Sequence, residues 1–294
     1  MSFLQTGFAA LRALPTMELV PMIGFPAYWI IGILVFAIWC AIRGKVPYTE
    51  RIARTRSKVM PRFIMEYGYW ILSQPVWLLK KLRFTPDMVT LCSLPMAAGS
   101  GVAFASGRFS AGGWLLASAA AADAIDGVLA RELGLSSDRG EFLDSVADRY
   151  ADFFVTFGLL WYYRNDYVIA VIIILGIMGA QVMGYAKAKG EASGVDPKIG
   201  WMQRHERAAW LIIATCLSPI IAAFVEPFAP HPTFHLSVFV LVLIAFFTNL
   251  TAIARTVYVI RRMPRAKAPA TPVAPAAATA DARERALTHS ENPA

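Results

Sequence analysis

The stretch "DAIDGVLARELGLSSDRGEFLDSVAD", Asp123 to Asp148, sets four carboxylates on a regular spacing inside an apolar chain. Asp123 and Asp126 are three apart; Asp144 and Asp148 are four apart. On helices, both spacings place side chains on one face. Gly127 and Ala130 continue the first stripe, and Gly140 begins the second. Between them "RELGLSSDR" supplies a short polar turn. The pattern predicts two antiparallel helices, each turning a carboxylate pair toward the other. Four crowded carboxylates repel, and some would have to bind protons. One or two divalent cations remove that difficulty, and hard oxygen ligands suit Mg²⁺ or Mn²⁺. Gly127 and Ala130 leave a groove open to a ligand or a neighbouring backbone. Arg131, one residue on, offers a guanidinium to a phosphate. Carboxylates, metal, groove and arginine together point to a diphosphate ligand clamped by metal while one bond breaks.

A plainer reading exists for single residues. Carboxylates near an interfacial helix end are often only solvated or paired with arginine, and Asp138 and Asp152 are read as well that way as any other. The four spaced residues are not, because ionisable groups at membrane depth are costly and usually functional.

The surroundings of the stretch set the fold class. Of 294 residues, 57% are hydrophobic and 16% charged, against about a quarter charged in an ordinary soluble domain. Apolar segments long enough to span a bilayer fall at 20–42, 87–106, 111–130, 142–163, 167–186, 208–227 and 235–259. The expected fold is all-α and integral to the membrane, and no internal repeat is present. Cys40, Cys92 and Cys216 lie inside apolar stretches, without metal or redox spacing, and read as small buried hydrophobes.

Charge sets the expected orientation. One side collects Arg43 to Arg62, Lys80, Lys81, Arg83, Arg131, Arg139, Lys187, Lys189, Arg204, Arg207, and Arg261 to Lys267. The other has only Arg12, Arg108 and Arg164 as cations. The rich side is therefore cytoplasmic, all seven spans alternate consistently, and the carboxylate stripe opens to the cytoplasm. The first span has no basic region before it and reads as a retained anchor with its N-terminus outside. The net charge of +8 is read against a membrane; no nucleic-acid partner is expected, because the cations sit between apolar runs.

Two segments do not read as spans. "MPRFIMEYGYWILSQPVWLLKKLRF", Met60 to Phe84, reads as an amphipathic helix at the cytoplasmic interface, broken by Pro75. From Pro264 the chain is Pro/Ala-rich and polar, and reads as a disordered tail. The expected organisation is an anchor and basic loop over 1–59, an interfacial helix over 60–84, a catalytic membrane domain over 85–263, and a tail over 264–294.

Asp123-x-x-Asp126-Gly127-x-x-Ala130-Arg131, eight residues, then Gly140-x-x-x-Asp144-x-x-x-Asp148 resembles the complete signature of the CDP-alcohol phosphatidyltransferase family. The resemblance covers about 85 to 260, where six spans match the family's six-helix core; the first span is extra. It implies two metal ions held among Asp123, Asp126, Asp144 and Asp148. It implies CDP held at Gly127, Ala130, Arg131 and Gly140, with release of CMP. Asp148 ends the second stripe and is the candidate general base, since a metal-crowded carboxylate can take a proton from an acceptor hydroxyl. The donor would be CDP-diacylglycerol, and the acceptor a small polar alcohol. Members of the family are often homodimers, so a homodimer is an expected assembly.

The acceptor side rests on "GYAKAKGEASG" and "QRHER". Their cations read plainly as positive-inside charge on anionic lipid. They also resemble the bacterial phosphatidylinositol-phosphate synthase branch of the family. By that resemblance Lys187, Arg207 and Arg255 hold the acceptor's phosphate, and the acceptor is a phosphorylated polyol such as inositol phosphate. Glycerol phosphate, inositol and serine remain alternatives. Two departures stand out: Lys189-Gly190 where Arg-Ala is usual, and Asp87 where Asn is usual. Asp87 is expected to cap a helix as well as Asn would. Among rivals, membrane prenyltransferases keep their two Asp clusters far apart in sequence. A seven-span transporter would scatter carboxylates at the midplane rather than at one face. A retinal-type receptor needs a mid-span lysine, and none is present.

Overall fold

The computed structural model describes residues 3–43, 62–197 and 199–263. The basic loop expected over 44–61 and the tail from 264 lie outside the described residues. The described residues form nine α-helices: α1 (Phe3–Ala13), α2 (Thr16–Arg43), α3 (Arg62–Lys81), α4 (Pro86–Ala105), α5 (Phe109–Leu133), α6 (Asp138–Tyr162), α7 (Tyr167–Glu191), α8 (Arg204–Val225) and α9 (His235–Arg262).

Six of these, α2, α4, α5, α7, α8 and α9, are long and apolar enough to cross a membrane. The seventh expected span, 142–163, falls on α6. That helix carries Asp144, Asp148, Arg149 and Asp152, so its composition alone does not qualify it as a span. Its helix is nevertheless packed among the apolar ones. Helices α4 to α9 close a ring: α4 packs on α5 and α6, α5 on α8, α8 on α9, α9 on α7, and α7 on α6. Large apolar side chains face outward on most of them, such as Phe157, Val168, Ile253 and Val102. An outward apolar surface is stable only against lipid.

Small residues let the ring close. A Cβ on Gly158 would lie 2.0 Å from the carbonyl oxygen of Gly101, so α4 and α6 cross backbone to backbone. Hydroxyls and an amide tie other contacts. Ser100 Oγ donates to Gly112 O at 2.8 Å, Ser110 Oγ donates to Cys216 O at 3.1 Å, and Asn249 Nδ2 donates to Leu175 O at 2.8 Å. Each satisfies a polar group that lipid could not.

The turn between the two carboxylate helices forms as the sequence predicts. Gly134 ends α5 in a left-handed conformation at φ 66, and Ser137 caps α6 by accepting from Gly140 N–H at 3.2 Å.

Several expectations need correction. Helix α1 was not foreseen; it packs on α8, with Phe8 edge-on to Phe224. Helix α3 is not broken at Pro75 but runs through it. The adjacent Val76 is buried against Val89, Ile125 and Leu129, and that packing outweighs the lost hydrogen bond. Only Cys216 of the three cysteines is buried; Cys92 is exposed. The extra span α2 is bound into the ring: Glu18 Oε2 accepts from Ser110 N–H at 2.9 Å, and Trp114 Nε1 donates to Pro21 O at 2.7 Å.

Candidate functional site

Helices α5 and α6 bring the carboxylate pairs face to face at one end of the ring. Oxygens of Asp123, Asp144 and Asp148 lie within 4.8 Å of one another. Asp144 Oδ1 is buried with no hydrogen-bond partner. Three hard oxygen donors at that separation, one of them lacking any protein donor, fit a divalent cation. Asp126 stands outside this group. It is buried, and Thr90 Oγ1 on α4 donates to its Oδ2 at 2.5 Å. Thr90 was not anticipated, because a lone threonine in an apolar span carries no pattern.

Arg204, the first residue of α8, reaches across to the same carboxylates. Its Nη1 lies 2.9 Å from Asp123 Oδ1 and its Nη2 2.7 Å from Asp148 Oδ1. One guanidinium fork therefore bridges α5 and α6. The sequence placed Arg204 only among interfacial cations. Its position one helical turn before Arg207 was the available signal.

On one side of the stripe a cavity of about 430 Å³ is lined by Asp126, Gly127, Ala130, Arg131, Gly140 and Asp144. All four expected CDP positions thus converge on one space. A Cβ on Gly127 would meet Arg131 Nη1 at 3.5 Å, so the guanidinium lies beside the groove that glycine opens. Asp87 and Thr90 also line it. Asp87 is not the cap expected of it: Thr85 is, its Oγ1 accepting from Met88 N–H at 3.3 Å. Asp87 sits in the first turn of α4, facing Gly140 across the cavity.

On the other side a cavity of about 270 Å³ lies inside the ring. Asp123, Asp152, Arg204 and Arg207 make its polar end, and Leu116, Leu159 and Ile244 belong to its apolar body. Arg207 Nη2 pairs with Asp152 Oδ2 at 3.0 Å, while its Nη1 is buried without a partner. Arg255 is buried too, donating from Nε to Ile199 O at 2.7 Å and from Nη1 to Met183 O at 3.3 Å. Arg207 and Arg255 lie within electrostatic reach of each other. Lys187 does not join them in a shared contact; it is exposed and lies 3.7 Å from Glu191. Thr251 Oγ1 accepts from Trp201 N–H at 2.9 Å and donates to Trp201 O at 2.8 Å, which ties the segment before α8 to α9. The departure at Gly190 has a steric reason: a Cβ there would lie 2.9 Å from Val195 O.

The chain matches the family model of the CDP-alcohol phosphatidyltransferases over residues 83–263. It is 32% identical over 211 residues to the phosphatidylinositol phosphate synthase of Mycolicibacterium smegmatis, covering 70% of this chain and 90% of that one. It is 27% identical over 184 residues to the archaetidylinositol phosphate synthase of Methanothermobacter thermautotrophicus, covering 62% and 87%. Its fold resembles that of Mycobacterium tuberculosis phosphatidylinositol phosphate synthase solved with CDP-DAG bound. The TM-score is 0.57 and the identity 26%, over 68% of this chain and 98% of that one. The same enzyme has been solved in complex with manganese and citrate, again at a TM-score of 0.57, with 25% identity over 68% and 93%. With a family match over more than half its length and six apolar helices, this integral membrane protein belongs to the CDP-alcohol phosphatidyltransferase family.

Proposed function

We propose that the chain transfers a phosphatidyl group from CDP-diacylglycerol to a hydroxyl of inositol phosphate, releasing CMP. The observation that carries this reading is the placement of two cavities on either side of one carboxylate wall. The Gly127–Arg131–Gly140 side suits a nucleotide diphosphate, and the Arg207 side suits a phosphorylated acceptor. The named activities of the relatives from Mycolicibacterium smegmatis and Mycobacterium tuberculosis support the same acceptor.

Asp123, Asp126, Asp144 and Asp148 would hold one or two Mg²⁺ or Mn²⁺ ions, which supply counter-charge to the diphosphate and to the departing CMP. Arg131 would hold a diphosphate oxygen, with Gly127, Ala130 and Gly140 leaving room for CDP. Asp148 would accept the proton of the acceptor hydroxyl as its oxygen bonds to the lipid-side phosphorus and the P–O bond to CMP breaks. Arg207 and Arg255 would grip the acceptor's phosphate, with Lys187 at the rim. The buried, unpartnered Nη1 of Arg207 supports this, since a charged donor at such depth is costly unless a ligand satisfies it.

The charge asymmetry supports a site open to the cytoplasm with the N-terminus outside. Residues 85–263 would be the catalytic domain, 1–59 and 60–84 its appended anchor, loop and interfacial helix, and 264–294 a tail. A homodimer in the bilayer is part of this reading. The test is an acceptor screen with purified protein and labelled CDP-diacylglycerol. Release of CMP with inositol phosphate, and not with glycerol phosphate, inositol or serine, is the expected result.

A further inference from the structure

The carboxylates that suit a divalent cation are already neutralised in part by the protein itself. Arg204 spends two terminal nitrogens on Asp123 and Asp148, two of the three residues in the 4.8 Å cluster. Asp144, the third, lies within electrostatic reach of that fork without forming an ion pair with it among the described residues, and its Oδ1 is unpartnered. A cation drawing on all three carboxylates would bind residues whose Oδ1 atoms the guanidinium holds, so metal and guanidinium would lie side by side. Two positive groups cannot share those carboxylates closely without strong repulsion.

We propose that Arg204 is a tethered counter-ion that competes with the divalent cation for Asp123 and Asp148, so that metal loading requires its displacement. The proposal rests on the metal reading given above. It explains why a cluster of carboxylates at membrane depth is stable before metal arrives: an unpaired buried charge is costly, and one bridging guanidinium satisfies two. It also supplies a destination for the displaced side chain. Asp152 lies on α6 one turn beyond Asp148, lines the same cavity, and is within electrostatic reach of Arg204. Asp152 already pairs with Arg207 at 3.0 Å through Oδ2, so the displaced guanidinium would share that carboxylate with Arg207. Arg204 Nε, buried without a partner, shows that the present geometry leaves this side chain incompletely satisfied. Arg204 is in this view a positioning residue whose equilibrium the cation shifts.

The experiment is a Mn²⁺ binding isotherm on the full chain in detergent, without substrates, read from the loss of the free-ion paramagnetic resonance signal. A competitor that occupies the site nine-tenths of the time lowers apparent affinity about tenfold, so Arg204→Gln should bind Mn²⁺ about tenfold more tightly than the unaltered chain. Arg204→Lys keeps the charge but loses the planar fork that spans the two carboxylates, and should show a smaller gain; it carries the test if Arg204→Gln does not fold. Arg149→Gln removes an equal charge one residue beyond Asp148, from an exposed side chain that donates to Ser145 O. It should change binding less than about threefold. Unchanged or weaker binding in the Arg204 variants overturns the proposal, and so does an equal gain in Arg149→Gln, which would mean a diffuse field effect. Asp144→Asn separates this from the metal reading, because Asp144 belongs to the cluster but forms no ion pair with Arg204 among the described residues. If Asp144→Asn leaves Mn²⁺ binding unchanged, the metal reading itself fails; if it weakens binding while the Arg204 variants show no gain, only the competition fails.

Discussion

Thr90 on α4 donates a 2.5 Å hydrogen bond to Asp126 on α5, at a point where Asp126 is only 6% exposed. The bond joins the first helix of the ring to the carboxylate stripe, and it faces the cavity assigned to CDP.

Removing that hydroxyl should therefore weaken the donor side. A hydrogen bond to a charged group contributes about 1.5–3 kcal/mol, so Thr90→Ala should lower kcat/KM for CDP-diacylglycerol roughly ten- to a hundredfold. Thr90→Ser keeps the donor and should retain most activity. CMP release measured against donor and metal concentration checks both; equal loss in the two variants would mean that the methyl group, not the hydroxyl, matters.

The crossing of α4 and α6 predicts a stability effect. The Cβ of Gly158→Ala would come 2.0 Å from Gly101 O, and the neighbour is backbone that cannot rotate away. Overpacking of this kind typically costs about 1–3 kcal/mol or more. The melting temperature in detergent should fall, and α6 should shift with its carboxylates. An unchanged melting temperature would show that the two helices separate at no cost.

Much of this site was legible in the sequence because its groups sit on two consecutive helices. Spacings of three and four residues fix a helical face whatever the tertiary context, so Asp123, Asp144 and Asp148 meet in one cluster and Asp126, Gly127, Ala130, Arg131 and Gly140 line one cavity, while the roles given to them are the proposal above. Arg204, Thr90 and Asp87 were not assigned there, because each reaches the site from another helix. Local periodicity carries no information about which distant helix packs alongside. The same limit applies to Pro75: the residue argues for a break, and only the burial of Val76 against α4 and α5 shows why the helix continues. Glu18 is a third case, since its cap on α5 depends on where α2 docks.

The proposed division of labour among the carboxylates predicts distinct phenotypes. Exhaustive chelation should abolish CMP release, and Mg²⁺ or Mn²⁺ should restore it. Asp148→Asn should keep CDP-diacylglycerol binding and lose most turnover, because a base acts on the acceptor. Asp123→Asn or Asp126→Asn should also weaken metal-dependent donor binding. Equal donor affinity and equally slow turnover in all three would show that Asp148 has no separate role.

The last prediction concerns the acceptor's phosphate. Arg207 is 9% exposed, pairs with Asp152 through Nη2, and keeps a buried Nη1 without a partner. Arg255 lies within electrostatic reach of Arg207, so a phosphate held at Arg207 would also feel its charge. Loss of one charge-assisted hydrogen bond costs on the order of 1.5–3 kcal/mol, so Arg207→Ala should raise the KM of inositol phosphate about ten- to a hundredfold. The KM of CDP-diacylglycerol should hardly move, since the donor is proposed to occupy the opposite cavity. Arg207→Ala also strands Asp152, and that alone could disturb α6. The double variant Arg207→Ala with Asp152→Asn removes the stranded charge while still lacking the phosphate ligand. It should keep the raised acceptor KM and regain any lost thermal stability. Lys187→Ala should have a smaller effect on acceptor KM, because Lys187 is exposed and lies against Glu191. If Arg207→Ala instead raises the donor KM, or if the double variant restores acceptor KM to its original value, Arg207 serves the packing of α6 and α8 rather than the phosphate.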